Sequence, residues 1–219
     1  MKYQAFLDRF GASVRTKNIL QPGEDAPAKA LRNMRPHRLP AQSEIAPEFI
    51  RLDPWEAEYL FAVAARARQG IVETGRFHGG SSFVMACAND AVPIWSIDID
   101  PQDDDGLRRV LEGAGVGGNV ELIVGDSQRT RYDRIGDFDV LFVDGDHSYD
   151  GCMADLENWY PLLSAGGHVV IHDCYDGQPS MDATFDFFAR HDATAVVPAF
   201  RGPHHWWHPA GSMGHYVKR

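Results

Sequence analysis

Short apolar runs alternate with helix-forming stretches through the middle of the chain, and this alternation constrains the fold more than any other feature. The apolar runs lie at 71–73, 94–97, 120–124, 140–143 and 168–171. The stretches between them predict helices near 81–89, 104–114, 127–135 and 149–163. Because parallel strands need long crossover connections, which helices supply, this order predicts a mostly parallel sheet with helices on both faces.

The N-terminal part of the chain differs from this regular middle. Five prolines between residues 22 and 47 predict an irregular stretch. We therefore expect residues 1–52 to form an extension that serves as a lid or a dimer arm. Asp53 and Pro54, followed by Glu56, form a capping-box pattern, which predicts a helix from there to about Gln69.

The C-terminal part completes a domain that we assign to residues 53–219. It predicts a helix over 181–191 and strands over 193–200 and 212–218, and we expect the final strand to be antiparallel. Three histidines and two tryptophans crowd residues 204–208. We interpret this cluster as a packing or oligomer contact in preference to a substrate wall or second metal site.

The charge balance narrows the classes of partner. The 219 residues include 31 acidic and 21 basic side chains, a net charge of −10, which argues against nucleic acid or an anionic membrane surface as the main partner. Three widely spaced cysteines without a Cys-x-x-Cys pair indicate neither a disulfide framework nor a zinc ribbon. Without a signal-peptide pattern or a bilayer-length apolar run in the sequence, a cytoplasmic protein is predicted.

A glycine-rich turn follows the first apolar run. The residues that it offers to a ligand are Glu73, Gly75, Phe77, Gly79, Gly80 and Ser81. Its glycines permit a tight turn and close approach of a ligand, and Ser81 is the expected N-cap of a helix whose start attracts anions. Since Phe77 replaces the middle glycine of a dinucleotide fingerprint and no lysine follows, the pattern favours another nucleoside-type cofactor over a plain strand–helix turn.

Polar side chains also end the second and third predicted strands. Asp98 lies within the second strand, where an acid can bind a ribose diol, although acids after strands also cap helices. Asp126, Ser127 and Gln128 follow the third strand and suit the edge of an adenine. Open α/β sheets bind ligands at the carboxyl ends of their strands, so the three motifs together predict one nucleoside site.

The fourth and fifth strands deliver acids and histidines to the same edge. Asp144, followed by His147, ends the fourth strand, and His172 and Asp173 end the fifth. Asp144 and Asp173 are candidate ligands of a divalent cation of the magnesium, manganese or iron type, and His172 is a third candidate. His147 is then a candidate general base for a hydroxyl, while the alternative has the acids as helix caps and His147 as a surface residue.

In order along the chain, the motifs ETGRFHGGSS, SIDID, VGDSQ, LFVDGDHSY and GGHVVIHD resemble those of class I S-adenosylmethionine (SAM) dependent O-methyltransferases. The likeness is strongest to methyltransferase domain family 24, related to the catechol and macrocin-type O-methyltransferases, and covers about residues 53–175. It implies a Rossmann-like α/β fold with a seven-stranded sheet and an antiparallel last strand. It also implies methyl transfer from SAM to the hydroxyl of a small molecule, such as a sugar or a natural-product intermediate.

The resemblance assigns a role to each motif. The amino-acid part of SAM would be held by Glu73, Gly75, Phe77 and Gly79, the ribose by Asp98, and the adenine by Asp126, Ser127 and Gln128. Asp144 and Asp173 match metal-binding acids, with Asp144 also beside the cofactor, and His147 matches the general base. His172 stands where the macrolide enzymes carry a glutamate, so it is a metal ligand, a group behind the ligands, or neither.

Two other classes of protein stay open at this point. A related sheet occurs in a cephalosporin-hydroxylase-like group, whose metal would be iron and whose chemistry would be oxidative. A non-catalytic SAM-binding subunit is the other alternative, but it would need neither Asp144 nor His147. We expect a small-molecule acceptor and a homodimer or larger homo-oligomer, and no nucleic-acid or membrane partner.

Overall fold

The structure is a computed structural model that describes residues 1–10, 49–197 and 211–219. Its strands are β1 (Ile71–Thr74), β2 (Ile94–Asp98), β3 (Val120–Val124), β4 (Val140–Val143), β5 (His168–Ile171), β6 (Ala193–Val197) and β7 (Gly214–Lys218). They form one seven-stranded sheet in the order β3-β2-β1-β4-β5-β7-β6. β1 to β5 pair in parallel, and β7 runs antiparallel to both of its neighbours. The predicted sheet, with its antiparallel last strand, is confirmed.

Helices cover both faces of this sheet. They are α1 (Tyr3–Phe10), α2 (Pro54–Ala64), α3 (Gly80–Ala88), α4 (Asp104–Ala114), α5 (Tyr149–Trp159) and α6 (Pro179–Phe188), with a 3₁₀ turn at Tyr160–Leu162. Successive side chains of a strand point to opposite faces. Val140 and Phe142 of β4 therefore join the core under α1 to α4, whereas Leu141 and Val143 join the core under α5 and α6.

The strand order creates a crevice at one edge of the sheet. From β1 the chain moves outward to β2 and β3, and from β4 it moves outward in the other direction to β5. The carboxyl ends of β1 and β4 therefore lie side by side at the point where the order reverses, which is where open α/β sheets bind ligands. Ser148 caps α5 by accepting a hydrogen bond from the N–H of Gly151 at 3.1 Å, so His147 lies in the short loop between β4 and the first residue of α5, Tyr149.

Two predicted helices differ from the observed ones. The helix predicted over 127–135 is wrong, because the chain forms turns there. The carbonyl of Ser127 accepts hydrogen bonds from the side chains of Asn158 and Trp159, instead of from a helical N–H. α2 ends at Ala64 and not near Gln69, since Asp139 accepts the N–H groups of residues 68 and 69 and draws the chain into β1.

The N-terminal helix α1 belongs to the core of the domain. Phe6 is fully buried and packs against Phe61 of α2 and Phe83 of α3, with ring centroids 5.6 and 6.2 Å away. Residues 11–48 and the aromatic cluster 204–208 lie outside the described residues, so a lid or dimer arm in the segment 1–52, and an oligomer contact at the cluster, stay predictions. Within the described ranges, no helix has both the length and the apolar character needed to cross a bilayer.

Candidate active site

A cavity of about 750 Å³ opens at the carboxyl edge of the sheet. Its walls come from the ends of β1 to β5 and from the segment before α2. The lining residues are Arg51, Gly75, Phe77, Asp98, Ile99, Asp126, Ser127, Gln128, Arg129, Asp144, Gly145, Asp146, His147, His172 and Asp173. A crevice of about 40 Å³ adjoins it, and the two share Arg51, Phe77 and Asp144. Five aspartates and only two arginines line the large cavity, so its wall is predominantly acidic.

Gly75 lets the ends of β1 and β4 meet beneath this cavity. Its φ is +80°, a left-handed conformation that favours glycine. A Cβ atom at this position would lie 2.3 Å from the carbonyl oxygen of Asp144, far inside van der Waals contact. Phe77 and Asp173 also have positive φ, of 50° and 49°, and both line the cavity. Such backbone conformations in non-glycine residues concentrate at functional sites.

Glu73 supports the glycine-rich turn from below. Its carboxylate accepts hydrogen bonds from the hydroxyls of Ser81, Ser82 and Ser96, and it is fully buried. Burial raises the pKa of Glu73 above its usual value, while the three hydroxyls act in the opposite direction. The N-cap of α3 is Gly79 and not Ser81, because the Ser81 hydroxyl is turned to Glu73. Glu73 and Gly79 line neither of the two cavities, whereas Gly80 and Ser81 line the smaller one.

Asp98 holds the same turn from the side of β2. Its Oδ2 accepts hydrogen bonds from the N–H groups of Arg76 at 2.9 Å and Phe77 at 2.8 Å. The Arg76 side chain is buried and donates to both carboxylate oxygens of Asp104, at 2.7 and 2.8 Å. It also donates to the carbonyl of Ser96 at 2.6 Å. The turn is therefore anchored to β2 and α4 at the ribose end of the predicted nucleoside site.

His147 lies at the other end of the cavity. Its Nε2 is 3.8 Å from Asp144 Oδ1 and 3.7 Å from Asp173 Oδ2, and 40% of its side chain is exposed. The two carboxylates come from the ends of neighbouring strands, β4 and β5. An imidazole in this position can take a proton from a ligand, and the two carboxylates would stabilise the resulting positive charge.

His172 is held far more tightly than His147. It is buried, with Nδ1 2.8 Å from Asp144 Oδ1 and Nε2 3.3 Å from Glu56 Oε2. Burial favours the neutral ring, but Asp144 and Glu56 raise the pKa of His172 well above its usual value. Burial likewise acts to raise the pKa of Glu56, but His172 and hydrogen bonds from Ser212 lower it to about 2. His172 thus bridges two carboxylates, and both of them favour its protonated form.

The predicted metal ligands Asp144, His172 and Asp173 do come together at this end of the cavity. However, no three His, Cys, Asp or Glu side chains within residues 1–10, 49–197 and 211–219 are arranged to hold a metal ion. Both ring nitrogens of His172 face carboxylates, which leaves the two aspartates as oxygen donors. As arranged, these residues do not fit a three-ligand site, and cation binding stays a prediction.

Most residues predicted for the site line the large cavity. Those that do are Gly75, Phe77, Asp98, Asp126, Ser127, Gln128, Asp144, His147, His172 and Asp173. Sequence reasoning missed Arg51, Ile99, Arg129, Gly145 and Asp146. Ile99, Arg129, Gly145 and Asp146 are chain neighbours of predicted residues, so the motifs held their signal. Arg51 precedes α2 and carried no such signal.

Comparison with known proteins bears on this geometry. The family model described as "Methyltransferase domain" (Methyltransf_24) matches residues 72–174, the segment that supplies β1 to β5 and nearly all of the cavity wall. This segment is therefore similar to a methyltransferase domain. An uncharacterized protein of Acanthamoeba polyphaga mimivirus, R132, is 29% identical over 117 residues, which cover 48% of this chain and 51% of that protein. The chain therefore spans about half the length of this curated relative.

Solved methyltransferases share the fold of the domain. The O-methyltransferase NovP matches with a TM-score of 0.61 and 18% identity, over 82% of this chain and 84% of that one. TomG, an O-methyltransferase from Streptomyces achromogenes involved in tomaymycin synthesis and solved with SAM, matches with a TM-score of 0.58 and 21% identity, over 78% and 82%. PaMTH1 of Podospora anserina, a methyltransferase solved with S-adenosylhomocysteine (SAH), matches with a TM-score of 0.57 and 18% identity, over 74% and 77%.

Proposed function

We propose that this methyltransferase domain transfers a methyl group from SAM to a hydroxyl of a small molecule, with His147 as the general base. The observation that carries the proposal is the position of the His147 imidazole. It is partly exposed and lies between two carboxylates, in the same cavity as the residues that would hold the nucleoside. A base that faces both solvent and the cofactor cavity can reach an acceptor hydroxyl.

The charge of the cavity supports SAM as the cofactor. SAM carries a positive sulfonium, and five aspartates against two arginines line the wall. An acidic wall attracts such a cation and repels the phosphates of a nucleoside triphosphate or a dinucleotide. Asp98, Asp126 and Asp144 belong to three different strand ends, so the negative charge extends along the whole cavity.

The proposed reaction is a direct displacement. Nε2 of His147 accepts the hydroxyl proton while the acceptor oxygen attacks the methyl carbon. The new O–C bond forms as the S–C bond breaks. The electron pair of the broken S–C bond stays on sulfur, and SAH is the product. Asp144 and Asp173 stabilise the protonated ring, and alignment of the two substrates supplies most of the acceleration. No step is routed through a divalent cation, because the described residues do not present three ligands.

The proposal is tested by incubating the full chain with SAM and two matched panels of acceptors, one of sugars and phenols and one of amines. We expect SAH and a methyl ether from hydroxyl acceptors only. Methylation confined to amines would contradict O-transfer, and oxygen consumption without SAH would favour the hydroxylase-like alternative. Parallel reactions with EDTA, and with added magnesium or manganese, measure whether a cation is required.

A further inference from the structure

Side chains on one face of α5 form hydrogen bonds with the loop that follows β3. The carbonyl oxygen of Ser127 accepts hydrogen bonds from Asn158 Nδ2 at 2.7 Å and from Trp159 Nε1 at 2.9 Å. The hydroxyl of Ser127 donates to Asp155 Oδ1 at 2.7 Å. Asp155, Asn158 and Trp159 are spaced at i, i+3 and i+4, so they share one side of the helix. The hydroxyl and the carbonyl oxygen of Ser127 are thus both held by the helix α5.

Asp155 reaches beyond this loop. Its Oδ2 accepts a hydrogen bond from Thr74 Oγ1, the last residue of β1, at 3.1 Å. A Cβ atom on Gly145, which follows the end of β4, would lie 3.1 Å from the same oxygen. The carboxylate of Asp155 therefore lies beneath the ends of β1, β3 and β4. Ser127 and Gly145 line the cavity directly, and Thr74 precedes the cavity residue Gly75.

Burial of the Asp155 carboxylate lowers the stability of the fold. Asp155 is 1% exposed, and Trp159 and Leu156 on the same helix are fully buried. Burial raises the pKa of Asp155 to about 6, with Asp126 and Asp146 acting in the same direction and the two hydroxyl contacts opposing it. Within the described residues its carboxylate contacts hydroxyls and no basic side chain, and burial of an acid in such surroundings costs free energy that an apolar side chain would not. In the reaction proposed above, Asp155 has no direct part.

We propose that Asp155, with Asn158 and Trp159, is a positioning clamp that presents Ser127 and its neighbours to the nucleoside of SAM. The inference rests on the proposed function for the identity of the ligand. Ser127 lies between Asp126 and Gln128. The N–H of Gln128 donates a hydrogen bond to Asp126 Oδ1 at 2.9 Å, which further fixes the turn around Ser127. A loop held in its bound conformation pays less ordering cost when the ligand binds. The clamp thus favours nucleoside affinity without touching the reacting atoms.

The test measures the dissociation constants of SAM, SAH and adenosine by titration calorimetry, because these ligands share the nucleoside and no acceptor is needed. The variants are D155A, which removes both contacts, and D155N, which keeps one oxygen and the side-chain volume. E157Q is the matched control, since Glu157 is exposed on the same helix. We expect D155A to weaken all three ligands by roughly tenfold, from the loss of about one charged hydrogen bond. D155N should recover part of the affinity, and E157Q should match the wild type.

A second readout follows the clamp itself. The indole N–H of Trp159 donates to Ser127, so its ¹H–¹⁵N resonance should shift when adenosine binds to the wild type. In D155A the free-state resonance should move and the adenosine-induced shift should shrink. S127A removes the hydroxyl donor to Asp155 from the other side. The D155A/S127A double variant should bind adenosine no more weakly than the weaker single variant, because both changes break one contact.

The outcomes separate this inference from the proposed function. If the wild type binds neither SAM nor SAH, the proposed function fails. If the wild type binds SAM, and D155A binds SAM, SAH and adenosine as tightly as the wild type does, the proposal of a positioning clamp is overturned. Should D155A not fold, the same comparison is made with D155N and S127A, and wild-type affinity in both would overturn the clamp.

Discussion

The two ends of the cavity are built differently. At the end proposed to bind the nucleoside, which we call the nucleoside end, the backbone and side chains are fixed by short hydrogen bonds. Asp98 holds the glycine-rich turn there, and Ser127 is held by α5. At the other end, which carries the proposed general base and which we call the catalytic end, the His147 ring lies 3.7 and 3.8 Å from two carboxylates, distances longer than hydrogen bonds. His172, beside it, is the exception, because it is clamped between Glu56 and Asp144.

This difference suits two separate tasks. A preorganised nucleoside end lowers the cost of binding the same cofactor in every cycle. A base without short contacts can turn toward an acceptor and exchange its proton with solvent. The comparison therefore predicts that changes at the catalytic end alter the rate, and that changes at the nucleoside end alter affinity.

The largest effect is expected from H147A. Loss of a general base lowers the rate of a proton-coupled step by about 10²- to 10⁴-fold. We expect the turnover number with a hydroxyl acceptor to fall by such a factor while the dissociation constant of SAM stays within about twofold. Y149F is the control, because the Tyr149 hydroxyl bonds to Asp186 away from the cavity. Equal losses of rate and SAM affinity in H147A would show that the two ends are not separable.

E56Q tests the buried contact between Glu56 and His172 at the catalytic end. Removing one partner of a buried ion pair leaves the other charge uncompensated, so the free energy of unfolding should fall by about 3 kcal/mol near pH 6. Urea denaturation measures this loss, with E58Q as the control on the exposed side of α2. An unchanged unfolding free energy in E56Q would argue against the ion pair.

The pH dependence of that loss has a defined sign. The pKa of Glu56 is lowered from 4.5 to about 2, so its stabilisation is present above pH 4.5 and is lost as the pH falls toward 2. The pKa of His172 is raised above 6.5, so its stabilisation is full below pH 6.5 and is lost as the pH rises through the raised value. The difference between wild type and E56Q should therefore be largest between about pH 4.5 and 6.5. A difference that grows below pH 4.5 would contradict this assignment.

G75A changes the residue at which the ends of β1 and β4 meet, between the two ends of the cavity. A side chain there meets the carbonyl of Asp144 and must adopt a left-handed backbone, so we expect a loss of about 2 kcal/mol in unfolding free energy together with weaker SAM binding. G113A is the matched control, because a Cβ there meets no atom within 4 Å and alanine is favoured within the helix α4. Equal unfolding free energies of G75A and G113A would mean that the backbone at residue 75 tolerates a side chain.

R129A should have the smallest effect. Arg129 lies in the nucleoside-end wall, but its side chain is 86% exposed and its Nε is 3.7 Å from Asp126 Oδ2. An exposed pair of this kind contributes at most about 0.5 kcal/mol. We expect thermal unfolding and SAM affinity to change little. A tenfold loss of SAM affinity in R129A would show that Arg129 contacts the cofactor directly.

The strands and most cavity residues could be predicted from sequence because their signals are local. Each apolar run carries its own functional residues at its carboxyl end, and parallel pairing brings those ends together, so Asp98, Asp126 and Asp144 were predicted without knowledge of contacts. The exceptions are instructive. Glu56 was predicted only as part of a capping box, which is confirmed by its bond to the N–H of Asp53 at 2.8 Å.

Contacts between distant parts of the chain could not be predicted in this way. Glu56 also faces His172, 116 residues away, and no periodicity reports that contact. Asp155 was hidden within the amphipathic pattern of α5, although its carboxylate is buried under three strand ends. The false helix over 127–135 has the same origin, because side chains of α5 capture the Ser127 carbonyl. Tertiary contacts of this kind override local preference.

The most direct test of the account is calorimetric titration of the wild-type chain with SAM, using NAD as the competing dinucleotide. A site with an acidic wall and a preorganised nucleoside end should bind SAM and SAH with micromolar or tighter affinity and should bind NAD at least tenfold more weakly. Binding of NAD in preference to SAM, or no heat with SAM up to millimolar concentration, would contradict the central claim that this cavity holds SAM for methyl transfer.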